Sequence, residues 1–196
     1  MFDGSDSESD TEIQVRPEAC GVMSFHNGTE ISMFIYIENL LRIQCPTDPD
    51  ELVDAVLAHT DTFCIHRHWM MHVGPSKAKY LREATKQVQE SHDKKPLRFL
   101  ELGSYCGYSS IILARELRRL DAQQGRTGSR LICVEADLQA CGFTRRMLKI
   151  AGLEDFATVL HTTVDAPDFT ETLLQTMGHA KCIQLVFIDH DKGRYL

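Results

Sequence analysis

From Leu97 onward, short apolar runs alternate with amphipathic segments: LRFLEL, YSSIILARELRRL, RLICVE, LQACGFTRRMLKIAG, ATVLHT, FTETLLQTM and CIQLVFID. Read by hydrophobic period, this is β-α-β-α-β-α-β. Runs such as RFL and LVFI are apolar at consecutive positions, so both faces of the strand need cover, which a parallel sheet flanked by helices provides. The alternation predicts a doubly wound α/β fold with helices on both faces of the sheet. The polar segment DAQQGRTGSR, between the first of these helices and the second strand, is expected to be a surface loop without chemistry.

Upstream, the spacing of Met33, Phe34, Ile37, Leu40 and Leu41 predicts a helix over 30–43. Thr47-Asp-Pro-Asp50 supplies cap and first-turn residues for a second helix running to about His66. After a break at Val73-Gly-Pro75, residues 76–91 read as a third helix with Ala78, Leu81, Ala84 and Val88 inward. Residues 1–28 open on the acidic run DGSDSESD, which has no apolar period, and are expected to form a disordered, solvated tail. The remainder, 29–196, fits one domain.

With 43% hydrophobic and 25% charged residues the chain reads as an ordinary water-soluble one, and its net charge of −7 repels nucleic-acid phosphates. Nucleic acid is therefore not an expected partner. The apolar stretch Ile31 to Leu41 is interrupted by Glu38 and Asn39 and falls short of the ~20 residues of a membrane span. The first residues lack the basic flank and apolar core of a secretory signal, which points to the cytoplasm. Seven cysteines, an odd number with no C-x-x-C pair, read as reduced. A reactive thiol at Cys106 would need a base or positive field that the local sequence does not show.

The strongest chemical signal is Glu101-Leu-Gly-Ser-Tyr-Cys-Gly107, directly after the first strand and directly before a helix. Ligands of such sheets bind beyond the carboxyl ends of the strands, and glycine there admits close backbone approach. The dinucleotide fingerprint G-x-G-x-x-G is absent, which counts against a nicotinamide-linked oxidoreductase. Glu101 would repel a pyrophosphate but suits the positively charged amino acid end of S-adenosylmethionine. At the end of the second strand Glu135 can accept both hydroxyls of a ribose, and Asp137 reads better as the cap of the next helix. At the end of the fourth strand Asp189 could ligate a hard cation such as Mg²⁺, and Lys192 could take a proton from a substrate hydroxyl.

Three segments, WMMHVGPSKAK (69–79), ELGSYCGYSS (101–110) and VFIDHDKGRYL (186–196), together with RMLKIAGLEDFATV, resemble the catechol O-methyltransferase family of class I methyltransferases in order and spacing. The likeness runs from about Leu52 to the last residue. It implies a Rossmann-like sheet that binds S-adenosylmethionine. Met71 and Val73 would touch this cofactor, Glu101, Gly103, Tyr105 and Ser109 would surround its methionine portion, Glu135 would hold the ribose, and Asp189 and His190 would lie near it. The resemblance further implies Asp189 as a Mg²⁺ ligand, Lys192 as catalytic base and Trp69 as a wall for a small-molecule catechol or phenol, with in-line methyl transfer to a hydroxyl.

Three positions depart from the family. Asp191 stands where a tryptophan is usual, and Val164 and Asp165 stand where Ser-Gln would face the adenine. The family sheet has seven strands in the order 3-2-1-4-5-7-6, and the sequence stops after the fourth, so the last strands and an Asp-Asn pair of the metal site are expected to be missing. One carboxylate is a poor site for a cation that takes about six oxygens, so weak or absent catalysis is expected. An interior strand left at an edge would recruit another chain or aggregate. The alternative is a non-catalytic protein that binds S-adenosylmethionine or serves regulation.

Overall fold

The computed structural model describes residues 28–91, 95–178, 180 and 182–190, so the expected tail lies outside it except for Gly28. Three helices come first: α1 (Thr29–Gln44), α2 (Pro49–His66) and α3 (Gly74–Ser91). Helix α2 starts where the fixed φ of Pro49 suits a first turn, and Asp48 Oδ1 accepts from the backbone N–H of Asp50 (2.8 Å) and Glu51 (2.9 Å). Helix α3 buries Ala78, Leu81, Thr85 and Val88. Thr85, not Ala84, completes that stripe, and its hydroxyl is satisfied by the carbonyl of Arg82 at 2.8 Å.

The alternating half follows as expected: β1 (Arg98–Leu102), α4 (Tyr108–Gln124), β2 (Arg130–Glu135), α5 (Leu138–Ile150), β3 (Ala157–His161), α6 (Phe169–Met177) and β4 (Leu185–Ile188). Asp137 caps α5, accepting from the N–H of Ala140 at 2.7 Å. The four strands are parallel in the order β3-β2-β1-β4. The chain moves outward from β1 to β3 and then crosses back to lay β4 on the other side of β1. That reversal opens a crevice beyond the carboxyl ends of β1 and β4, where Leu102 and Ile188 are register partners.

Phe99, Leu131 and Cys133 project into the larger core, built with residues of α1 to α5 such as Met33, Val53, Leu81, Ile111 and Met147. Leu100, Ile132 and Val134 face the opposite way, against Met177, Leu173 and Phe169 of α6. Each fully buried Leu, Ile or Phe contributes about 1.5–3 kcal/mol, so the two faces together hold the layers in place. Strand β4 departs from the expectation of cover on both sides. Val186 and Ile188 are 50% and 48% exposed, because α6 packs over β1 and β2, and β4 is one of the two sheet edges among the described residues.

The segment DAQQGRTGSR is not a chemically idle loop. Its first four residues finish α4, which ends on Gly125, and Asp121 and Arg126 are buried at 5% and 4% exposure. Arg126 Nε lies 3.2 Å from Asp121 Oδ1, Ser129 Oγ donates to the same carboxylate, and Leu97 N–H donates to Ser129 Oγ at 2.8 Å. This paired cluster ties the end of α4 to the entry of β1. Polar composition alone cannot separate such a cluster from a solvated turn.

None of the described helices is long and apolar enough to cross a membrane. The six described cysteines carry free thiols, and burial pushes that of Cys106 up to about 12, which leaves it protonated and unreactive at neutral pH.

Candidate cofactor cleft

The loop after β1 is shaped by backbone approach. Gly103 has φ +87°, and a Cβ placed on it would stand 2.6 Å from the carbonyl oxygen of Asp189 and 2.9 Å from Cα of His190. Only glycine lets the chain leaving β4 run so close to the end of β1. That approach is fastened by the N–H of Asp189 on Leu102 O (2.8 Å) and the N–H of Gly103 on Val134 O (2.9 Å). Tyr105 adopts a left-handed φ of +47° without being glycine. Two partners support it: Thr144 Oγ1 donates to its carbonyl at 3.0 Å, and its own hydroxyl donates to Glu30 Oε1 of α1 at 2.8 Å.

Glu135, at the tip of β2, spends its carboxylate on this loop. Oε2 accepts from the N–H groups of Ser104 (3.0 Å) and Tyr105 (2.9 Å), and Oε1 from that of Asp137 (3.1 Å). Three backbone donors from two loops thereby converge on one anion, which holds the turn in a single conformation.

Glu101 lies elsewhere. Its side chain is fully buried on the α4 side of the sheet, where Ser110 Oγ donates to Oε2, while Oε1 has no hydrogen-bond partner among the described residues. Burial pushes its carboxyl above the usual carboxylate range, against hydrogen bonds from Ser109, Ser110 and Cys133, and Asp189 adds to the rise.

Two open clefts adjoin at Gly103. One, of about 390 Å³ including its mouth, is lined by Leu102, Gly103, Glu135, Thr163, Val164 and His190 among others. The second, of about 420 Å³, is lined by Met71, Val73, Gly103, Tyr105, Ser109 and Asp189, together with His72, Ser104, Cys106 and Tyr108. Most residues singled out from sequence thus meet around one glycine. Glu101 and Trp69 are not on either wall: the first sits behind Ser109, and the second is 64% exposed. Lys192 and Asp191 lie outside the described residues.

Sequence reasoning passed over His72. Nε2 is 3.0 Å from Asp61 Oδ1 and Nδ1 is 3.1 Å from Met70 O. Burial works against its charged form, but hydrogen bonds to Asp61, Cys64 and Met70 outweigh this and raise it to about 10. It stands between two residues that were singled out, Met71 and Val73, and a polar side chain inside an otherwise apolar stretch was the available signal.

Chemically, the first cleft offers a carboxylate edge, hydroxyls and an apolar floor, which fits a nucleoside. The second offers Ser109, Asp189 and a sulfur-compatible wall of Met71, Val73 and Tyr105. Among the described residues no three His, Cys, Asp or Glu side chains gather into a group that could hold a metal ion.

A methyltransferase-domain family matches residues 100–195. The chain is similar to catechol O-methyltransferase of Bos taurus, at 31% identity over 160 residues, covering 82% of this chain and 51% of the relative. It is similar also to catechol O-methyltransferase of Mus musculus, at 31% over 151 residues, covering 77% and 49%. The chain spans about half the length of the curated relatives it matches. Among solved structures, an O-methyltransferase from Bacillus cereus in complex with SAH matches with a TM-score of 0.47 and 21% identity, covering 83% of this chain and 64% of that one.

Proposed function

We propose that the chain, which is 31% identical to catechol O-methyltransferases and carries a methyltransferase domain, is a member of that family, binds S-adenosylmethionine and transfers its methyl group to a hydroxyl of a catechol or phenol. The observation that carries this reading is the pair of clefts meeting at Gly103, with Glu135 on one wall and Ser109 and Asp189 on the other. When bound, S-adenosylmethionine supplies an electrophilic methyl on a sulfonium. Around it, Glu135 retains lone pairs for ribose hydroxyls while holding the loop, and Val164 and His190 flank the adenine side. Met71, Val73 and Tyr105 border the methionine side. Glu101, the candidate partner of the charged amino acid end, is enclosed behind Ser109, so that contact requires Ser109 to give way.

Within the same proposal Lys192 is the base that removes the hydroxyl proton and Trp69 is a wall for the aromatic acceptor. Mg²⁺ belongs to it through the family resemblance alone. The described residues give such a cation one carboxylate, Asp189, which does not make a site for an ion that takes about six oxygens. A second reading is a protein that binds the cofactor without metal-dependent turnover. A cytoplasmic setting, supported by the free thiols, and pairing of chains along the β4 edge complete the proposal.

Calorimetric titration with S-adenosylmethionine, together with a methyl-transfer assay on a catechol with and without Mg²⁺, tests it. Binding with Mg²⁺-dependent turnover supports the first reading and binding without turnover the second. Failure to bind refutes both.

A further inference from the structure

The stretch 67–73 has no regular secondary structure, yet it carries Met71 and Val73 to the methionine-side cleft. What fixes it is side-chain chemistry. Both ring nitrogens of His72 face acceptors, Asp61 Oδ1 at 3.0 Å and Met70 O at 3.1 Å, so each donates and the ring is held as imidazolium. The other oxygen of Asp61 accepts from the hydroxyl of Tyr108 at 3.1 Å, and the His72 ring meets Tyr108 edge-on at 4.8 Å and 78°. Tyr108 opens α4, between Gly107 and Ser109. One carboxylate on α2 therefore grips both sides of the cleft: the strap through His72 and the glycine loop's helix through Tyr108.

We propose that Asp61, bridging His72 and Tyr108, is a positioning residue that sets the span of the methionine-side cleft and thereby the affinity for an S-adenosyl ligand. The inference rests on the cofactor assigned above. It is distinct from a general anchoring role, because an anchor would alter stability without singling out the ligand. A charged pair bonded to a neutral hydroxyl acts as a unit, so its members couple and do not add.

Calorimetric titration of the full chain with S-adenosylhomocysteine reads the affinity directly, with no dependence on turnover. Asp61→Asn and Tyr108→Phe each weaken binding about tenfold, the scale of one lost hydrogen bond. The double variant binds no more weakly than either single one. Asp48→Ala, which removes the α2 cap far from the cleft, lowers the melting temperature and leaves affinity unchanged. Wild-type affinity in both Asp61→Asn and Tyr108→Phe overturns the inference, as does an equal loss in Asp48→Ala. No binding by the unsubstituted chain overturns the cofactor assignment itself and the inference with it.

Discussion

Alanine at Gly103 meets two separate penalties. A φ of +87° costs an L-residue about 1–2 kcal/mol. The new Cβ would also sit 2.6 Å from the carbonyl oxygen of Asp189, whereas ordinary contact begins at 3.4 Å, so that backbone must retreat by 0.8 Å (3.4 − 2.6). A retreat of that size stretches the 2.8 Å bond from Asp189 N–H to Leu102 O beyond hydrogen-bond range. Losing that bond costs about 0.5–1.5 kcal/mol, and crowding at a packed site about 1–3 kcal/mol more. Gly125→Ala is the control: φ is +60°, but nothing lies within 4 Å of the added carbon, so only the backbone penalty applies. Urea unfolding should therefore place Gly103→Ala about 2 kcal/mol or more below Gly125→Ala. Affinity for S-adenosylhomocysteine should fall with it, because both clefts share this residue. Equal destabilisation of the two variants, with unchanged affinity at 103, would refute the close-approach argument.

Asp121→Ala leaves the Arg126 guanidinium buried without its carboxylate and should destabilise the fold by about 3–5 kcal/mol in urea unfolding; a loss under about 1 kcal/mol would show the pair is not buried in solution. His72 is raised from 6.5 to about 10, so the stability its charge contributes is fully present below pH 6.5 and is lost as pH rises through about 10. The urea midpoint of the wild type relative to His72→Gln should accordingly be highest at pH 6 and converge by pH 10, and a constant gap would contradict a charged ring. A thiol reagent should modify Cys45 and Cys182 rapidly in the folded chain and reach Cys106 and Cys133 only on unfolding, as mass mapping would reveal.

What the sequence made legible was local. Apolar period set each strand and helix of the alternating half, and the Asp137 cap needed only its neighbours three residues away. The glycine loop was legible because its position between strand and helix carries the argument. What escaped was long-range pairing of polar groups. Asp61 and Tyr108 are 47 residues apart, Glu30 and Tyr105 are 75 apart, and no periodicity links them. The inward turn of Glu101 was hidden for another reason. Alternation along β1 assigns it to the α4 side with Phe99, but its position at the strand tip gives no sign of how deeply the carboxyl is enclosed.

Tyr105 holds its unusual backbone angle with a prop that comes from 75 residues upstream, Glu30 in the first turn of α1. A fragment begun at β1 would keep every letter of the glycine loop and lose the brace that aims it. Shortened versions of this protein should accordingly be cut upstream of Thr29, and a deletion series would locate ligand recognition partly in a helix outside the alternating half.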